Sequence, residues 1–445
     1  MRIIMSRIRK RASFILDEKG FFSTAIVVSI LAMASIMSIA LLLTTNVDVS
    51  NTKQDELVQK SLYIAEAGIN NYLWKMNQDE NYYKTTVDPA QKGWVTYQDG
   101  SYSLSVTQTP SRPGVILEST GRIVNVQSGG STDTVSRKVK VRIQKKSFVH
   151  YLYFTDYETV EGTGDNIWFI TGDIIRGPLH TNDGISIDGS PIFKGKVTTS
   201  RTIYKKSGSN PDFQQGYEEN VQPLEIPTTN QELKTWALVN GYYYYGQTTI
   251  SFLSSGSLNI TNNNSLSTGP TGIVSMPSNG VIYIDGQAGS KFNSTNGDAY
   301  VSGTLAGKLT IGTKNNIYIT DNVLYNDPNS DVLGLIAENY VFINHRDKYG
   351  NDVAPTNIEI DAAVFAINHS FGYEDYAYDV KGTLTVKGAI AQRYRGPVGT
   401  FYWSGTKASG YSKNYWYDER MLYTQPPHFI EPLNSGFEVI DWNEL

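Results

Sequence analysis

Hydrophobic and polar positions divide the chain into regions with different periods. Residues 21–43 (FFSTAIVVSILAMASIMSIALLL) carry no charge. At about 1.5 Å per residue this run reaches across a hydrocarbon layer of roughly 30 Å. Its polar members are small hydroxyls, which can bond back to the helix backbone. Next, Val58, Leu62, Ala65, Ile69, Tyr72 and Met76 recur at spacings of 4, 3, 4, 3 and 4, one apolar stripe on a helix. Residues 44–77 contain no proline and a single glycine, Gly68. The pattern predicts one long helix, apolar over 21–44 and amphipathic over 45–77.

The period then drops to two. After a polar loop at 78–100, the segments SYSLSVTQT, GVILEST and TVSRKVKVRIQ alternate. Val135, Val139, Val141 and Ile143 share a face, with Lys138, Lys140 and Arg142 opposite. This predicts a small antiparallel head at 78–149, turning at 111–114 and 127–131. Beyond residue 150, short β-prone runs recur between Gly and Asn turns, among them GISIDG, VIYIDG, KLTIG and YVFIN. Their loose spacing predicts an irregular β-helix or β-solenoid-like domain over 150–445, with a β-sandwich as the alternative. Residues 201–248 read as an excursion from it. A short helix is expected there around Asn230–Leu238, capped by Thr229 or Asn230. The aromatic, Pro-rich end of the chain reads as a strap. The fold class is thus mainly β behind a long N-terminal helix.

Charge fixes an orientation. Arg2, Arg7, Arg9, Lys10, Arg11 and Lys19 precede the apolar run, against Asp17 and Glu18. Basic residues stay on the cytoplasmic side, so the rest of the chain is expected outside, behind a single pass. A cleaved signal peptide has a shorter apolar region and a small-residue cleavage site. The formal net charge of −5 gives no reason to expect nucleic acid as a partner, and the absence of cysteine excludes disulfides and thiol chemistry.

The basic leader ending in Gly20, then Phe21, the apolar helix and AEAGINNYL resemble the N-terminus of type IV pilin-like proteins, closest to minor pilins of the PilX type. The resemblance implies cleavage by a prepilin peptidase between Gly20 and Phe21, and a retained helix that packs against other pilin-like subunits. Its signature falls on Ala65, Glu66, Ala67 and Gly68. Major pilins carry glutamate at the fifth mature position, where this chain has Ala25. That departure favours a minor pilin or pseudopilin over a bulk subunit. The segments GPLHTNDGISIDGSPIFKGKVTTS and GYSKNYWYDERMLYTQPPHFIEP resemble a domain of unassigned function found behind PilX-like N-termini in bacterial envelope proteins.

Chemistry is sparse. The histidines are His150, His180, His345, His369 and His428, none in a metal-binding spacing. His180, with Asn182 and Asp183 beside it, is the weak candidate for a site, against a turn histidine bonded to backbone. Asp321, Asp327 and Asp331 could hold calcium or simply form turns. Asp285, Asp298 and Asp361 are possible carboxylates for a polysaccharide-active enzyme, and Tyr242–Tyr245 could meet sugar. No nucleotide-binding or nucleophile motif is present. The expectation is a non-enzymatic envelope protein without metal or cofactor, held in the bilayer and displaying its β domain for assembly or adhesion. The alternatives are an anchored polysaccharide-active enzyme and an unprocessed anchored adhesin.

Overall fold

The computed structural model describes residues 18–109, 113–126, 132–402 and 406–445. Most of the basic leader and both expected head turns lie wholly or partly outside these residues. The helix Glu18–Gln78 runs for 61 residues without interruption. The serine and threonine hydroxyls of its apolar half fold back as expected: Ser35 Oγ donates to the Leu31 carbonyl and Ser38 Oγ to that of Ala34, both at 2.8 Å. The amphipathic half buries Ala65, Ile69, Tyr72 and Met76.

That stripe lies on an antiparallel sheet. Its strands are Val95–Tyr97, Gly100–Gln108, Gly114–Val126, Thr132–Lys145 and Phe437–Glu444, paired in that order. Leu104, Val115, Leu117, Val139, Val141 and Ile143 point into the helix-facing core. The fifth strand corrects the head at 78–149. The chain end does not stay with the large domain but returns to the head. Asn77 clamps it, accepting the Phe437 N–H at 2.7 Å and donating to its carbonyl at 3.1 Å. The Phe437 ring is buried edge-on to Tyr83. A register shift between Val439 and Asp441 breaks the period-two pattern, which hid this strand in the sequence.

The large domain is built mainly from parallel pairs joining strands one coil apart, so the sandwich alternative, which is antiparallel, does not hold. Two columns of aligned strands show the order. One runs through Tyr242–Tyr245, Val281–Asp285, Lys308–Thr313, Val332–Ala337, Ile358–Ala366 and Val380–Tyr394. It continues not with later residues but with Tyr153–Tyr157, Leu179–Thr181, Val197–Thr199 and Tyr217–Glu218. A second column passes from Lys407–Tyr417 to Ile174–Arg176, then Ile192–Phe193 and Asp212–Phe213. The chain therefore enters the stack in the middle, coils to one end, crosses to the other and coils back.

This order corrects two expectations. Residues 203–205, 212–213 and 217–218 are rungs, so only the stretch after them leaves the stack. Residues 410–417, the first part of the expected strap, likewise belong to a rung. The crossing carries the helix Gln231–Asn240, which buries Leu233 and Ala237. Asn230 precedes it but makes no side-chain cap. Its amide instead donates to the carbonyls of Thr313 and Ile336 at 2.9 and 3.1 Å, and accepts from the Tyr283 hydroxyl at 3.0 Å. Buried carbonyls at the stack's surface take the group that the helix terminus would use.

Candidate functional site: the apolar helix and its seat

The segment Val27–Thr45 has a mean hydropathy of 2.4 and is wholly unburied. A core helix of a soluble domain would be covered, so the two halves of one helix face different surroundings. Ala32, Ala34 and Ala40 lie in the uncovered half, where small side chains allow close approach of another helix. Gly20 and Phe21 fall within the first turns of the helix. The leader preceding the helix lies outside the described residues.

Ala65, Glu66, Ala67 and Gly68 sit where the helix meets the head. Ala65 and Gly68 share the buried face. Close approach is the reason: a Cβ on Gly68 would lie 2.7 Å from both Ser119 Oγ and Tyr102 Cδ2. From the sheet, a Cβ on Gly121 would lie 2.1 Å from the Ser61 carbonyl oxygen and 2.5 Å from the Ala65 nitrogen. Gly121 brings its strand against the helix backbone, and Gly68 makes room for the Ser119 and Tyr102 side chains. The signature's small residues are explained by this contact, and Gly121 is a partner that the sequence reading missed. Glu66 and Ala67 flank the contact and line a shallow groove with Tyr63, Asn70 and Tyr97.

His180, Asn182 and Asp183 are brought together, but as a structural tie. The His180 ring is buried and stacked on Phe154 at 5.7 Å. Asn182 donates through Nδ2 to Asp156 at 2.9 Å and to the Leu224 carbonyl at 2.8 Å. Its Oδ1 accepts the Leu224 N–H at 2.8 Å and faces His180 Nε2 at 3.1 Å. Nε2 thus carries a proton, while Nδ1 meets Thr198 Oγ1 at 2.8 Å. Asn182 pins the crossing segment at Leu224 to the stack. Asp183 pairs with Arg201 at 3.1 Å.

Burial lowers the His180 pKa to about 4, with the Asn182 hydrogen bond opposing it. The folded pKa lies below the unfolded one, so the stability from the neutral ring is present above about pH 6.5 and lost as pH falls toward 4. The loss amounts to at most about 3 kcal/mol. Denaturant unfolding should show the stability gap between wild type and His180→Gln narrowing by about 2.5 kcal/mol from pH 7.5 to 4.5. A gap that does not change with pH would refute the buried neutral ring.

The other candidates are engaged locally. Asp331 accepts the Gly307 and Asp327 N–H groups at 2.8 and 2.6 Å, which is turn chemistry. Asp285 pairs with Lys234 at 2.7 Å and accepts from the Tyr243 hydroxyl at 2.9 Å. Asp298 is buried with its pKa raised to about 6, mainly by desolvation, and Asp361 is raised for the same reason. Tyr244 is a core residue, its neighbours half-buried along one strand. Among the described residues, His345, Asp352 and Asp379 place a ring nitrogen and two carboxylates within 4.8 Å of one another. No sequence spacing signalled that group.

A protein-family model described as a domain of unknown function (DUF4900) matches residues 115–201, from the third head strand into the first coils of the large domain. No curated protein matches the chain. Among solved structures, the chain is similar to the competence-associated pilin ComZ from Thermus thermophilus at 12% identity. The similarity covers 87% of this chain and 97% of that one, with a TM-score of 0.28. At that similarity, the fold assignment rests on the helix and sheets themselves.

Proposed function

We propose that the chain is a pilin-like protein of the bacterial envelope, of the PilX-type minor-pilin or pseudopilin kind. It works by insertion and association rather than by catalysis. The supporting observation is the 61-residue helix whose apolar segment Val27–Thr45 is uncovered while its other half is seated in the head. An uncovered apolar helix of this length has two favourable surroundings, the bilayer and a bundle of like helices. The basic leader holds the N-terminus in the cytoplasm of a single-pass protein, and the β domain is displayed outside. A prepilin peptidase cuts between Gly20 and Phe21. The retained helix then passes from lipid to the core of a filament or secretion-type assembly, against other pilin-like subunits. The large β domain supplies the exposed surface of that assembly, or an adhesive one.

Mass spectrometry of protein from its native membrane tests this reading. The mature chain is expected to begin at Phe21. A chain that keeps its leader would leave an unprocessed anchor and remove assembly from the reading.

A further inference from the structure

We propose that His345, Asp352 and Asp379 form a binding site for a transition-metal dication of the zinc type, on the side of the large domain. His345 follows the strand Val341–Ile343 and is fully buried. Asp352 lies in the loop beyond it, and Asp379 directly precedes the strand Val380–Tyr394. The two carboxylates are part-exposed, at 39% and 44%, which leaves a path for an ion.

The distances suit a metal. Two ligands each about 2.0 Å from a zinc ion at a tetrahedral angle stand about 3.3 Å apart. His345 Nε2 stands 3.1 Å from Asp379 Oδ2 and 3.6 Å from Asp352 Oδ1. The ring is oriented from behind: Nδ1 meets Asp375 Oδ2 at 2.5 Å, and Asp375 is itself held by Arg346 Nε at 3.2 Å. An outer carboxylate that fixes ring orientation and strengthens the ligating nitrogen is the usual support of a metal-bound histidine. Asp352 uses its second oxygen on Lys381 at 2.6 Å, while Oδ1, which accepts the Ala354 N–H at 3.0 Å, faces the ring. The His345 N–H donates to Glu374 at 2.7 Å, which anchors the backbone at the same point.

A second observation also points to a ligand. The Tyr373 hydroxyl is buried and has no hydrogen-bond partner among the described residues. Its ring meets His345 edge-on at 5.3 Å. A buried hydroxyl left unpaired is costly. Three protein ligands leave a zinc-type ion one open position for water, and such a water is the partner this hydroxyl lacks. One imidazole nitrogen with two carboxylates suits a borderline dication better than magnesium or calcium, which take oxygen ligands.

The test uses the full chain in detergent, stripped with a chelator and titrated separately with Zn2+, Co2+ and Ca2+. One equivalent of Zn2+ is expected to bind, with Co2+ giving the visible absorption of a low-coordinate site. Asp379→Asn and Asp352→Asn, at part-exposed positions, should each weaken binding at least 10-fold while leaving the far-UV circular dichroism unchanged. Absence of saturable binding, binding that both variants retain, or binding of Ca2+ in place of Zn2+ would each overturn the assignment.

Discussion

Replacing Arg395 with methionine is expected to destabilise the large domain by about 3–5 kcal/mol, the cost of leaving one partner of a buried ion pair alone. Arg395 and Glu158 are both almost completely buried, at 3% and 2% exposure, with Nη1 2.9 Å from Glu158 Oε2. The same nitrogen donates to the Ile167 carbonyl at 3.2 Å, and the guanidinium lies 3.9 Å from the centre of the Phe169 ring. Glu158 also accepts from Thr155 Oγ1. Methionine keeps much of the packing and removes the charge and its donors, so Glu158 would be stranded in the interior. The double variant Arg395→Met with Glu158→Leu removes both charges and should recover most of the loss. Chemical unfolding of the full chain in detergent measures both. A single-variant loss under about 1 kcal/mol would show that water reaches this pair.

Position in the fold makes this pair count for more than its own contacts. The strand Val380–Tyr394 pairs in register with Tyr153–Tyr157, so residues far apart in sequence form adjacent rungs. Arg393 pairs with Asp156 at 3.2 Å, and Gln392 donates to the Tyr153 hydroxyl at 2.8 Å at the same seam. The two coiled stretches of the large domain meet here, and no local turn holds them together. Loop-closure entropy opposes the contact, and directional polar pairs specify its register where generic apolar stacking would tolerate a slip.

Legibility in the sequence followed the range of the interaction. The long helix was readable because its period is local and nothing between residues 44 and 77 breaks it except Gly68. The head strands Gly100–Gln108 and Thr132–Lys145 were readable from alternation, with one face buried as expected. Stacked coils were readable as texture, because each rung repeats a short apolar run. Their order was not, since the pairing of Ile390 with Tyr153 leaves no mark at either position. The closing strand was hidden by its own bulge, and Asn77, which holds it, reads as one more polar helix residue. His180 was singled out by its polar neighbours and proved to be a tie. His345 was passed over because Asp352 reaches it from one loop, and Asp375 and Asp379 from another some 30 residues away in sequence.

Substituting alanine for Gly121 is expected to unseat the helix from the head at a cost of about 3 kcal/mol, the upper part of the range for overpacking. Gly121 does not adopt a left-handed conformation, so the effect is steric and not one of backbone preference. The added carbon would sit 2.1 Å from the Ser61 carbonyl oxygen and 2.5 Å from the Ala65 nitrogen, both backbone atoms of the long helix. Neither can move without lifting the helix away from the sheet. Gly68→Ala makes the matching comparison from the other side. Its new carbon would meet Ser119 Oγ and the Tyr102 ring at 2.7 Å, side-chain atoms that can shift, so a loss nearer 1 kcal/mol is expected. Gly93, with nothing within 4 Å of the built position, serves as the control. Unfolding curves rank the three, and limited proteolysis reports whether residues 52–78 become accessible. The apolar half of the helix is untouched by all three, so membrane insertion should be unchanged. If the helix is an assembly spine, a head that no longer sits on it cannot hold a fixed place in the assembly. Gly121→Ala should then abolish incorporation while leaving the protein in the membrane fraction. Equal stability and incorporation of Gly121→Ala and wild type would mean that the helix does not approach the sheet this closely.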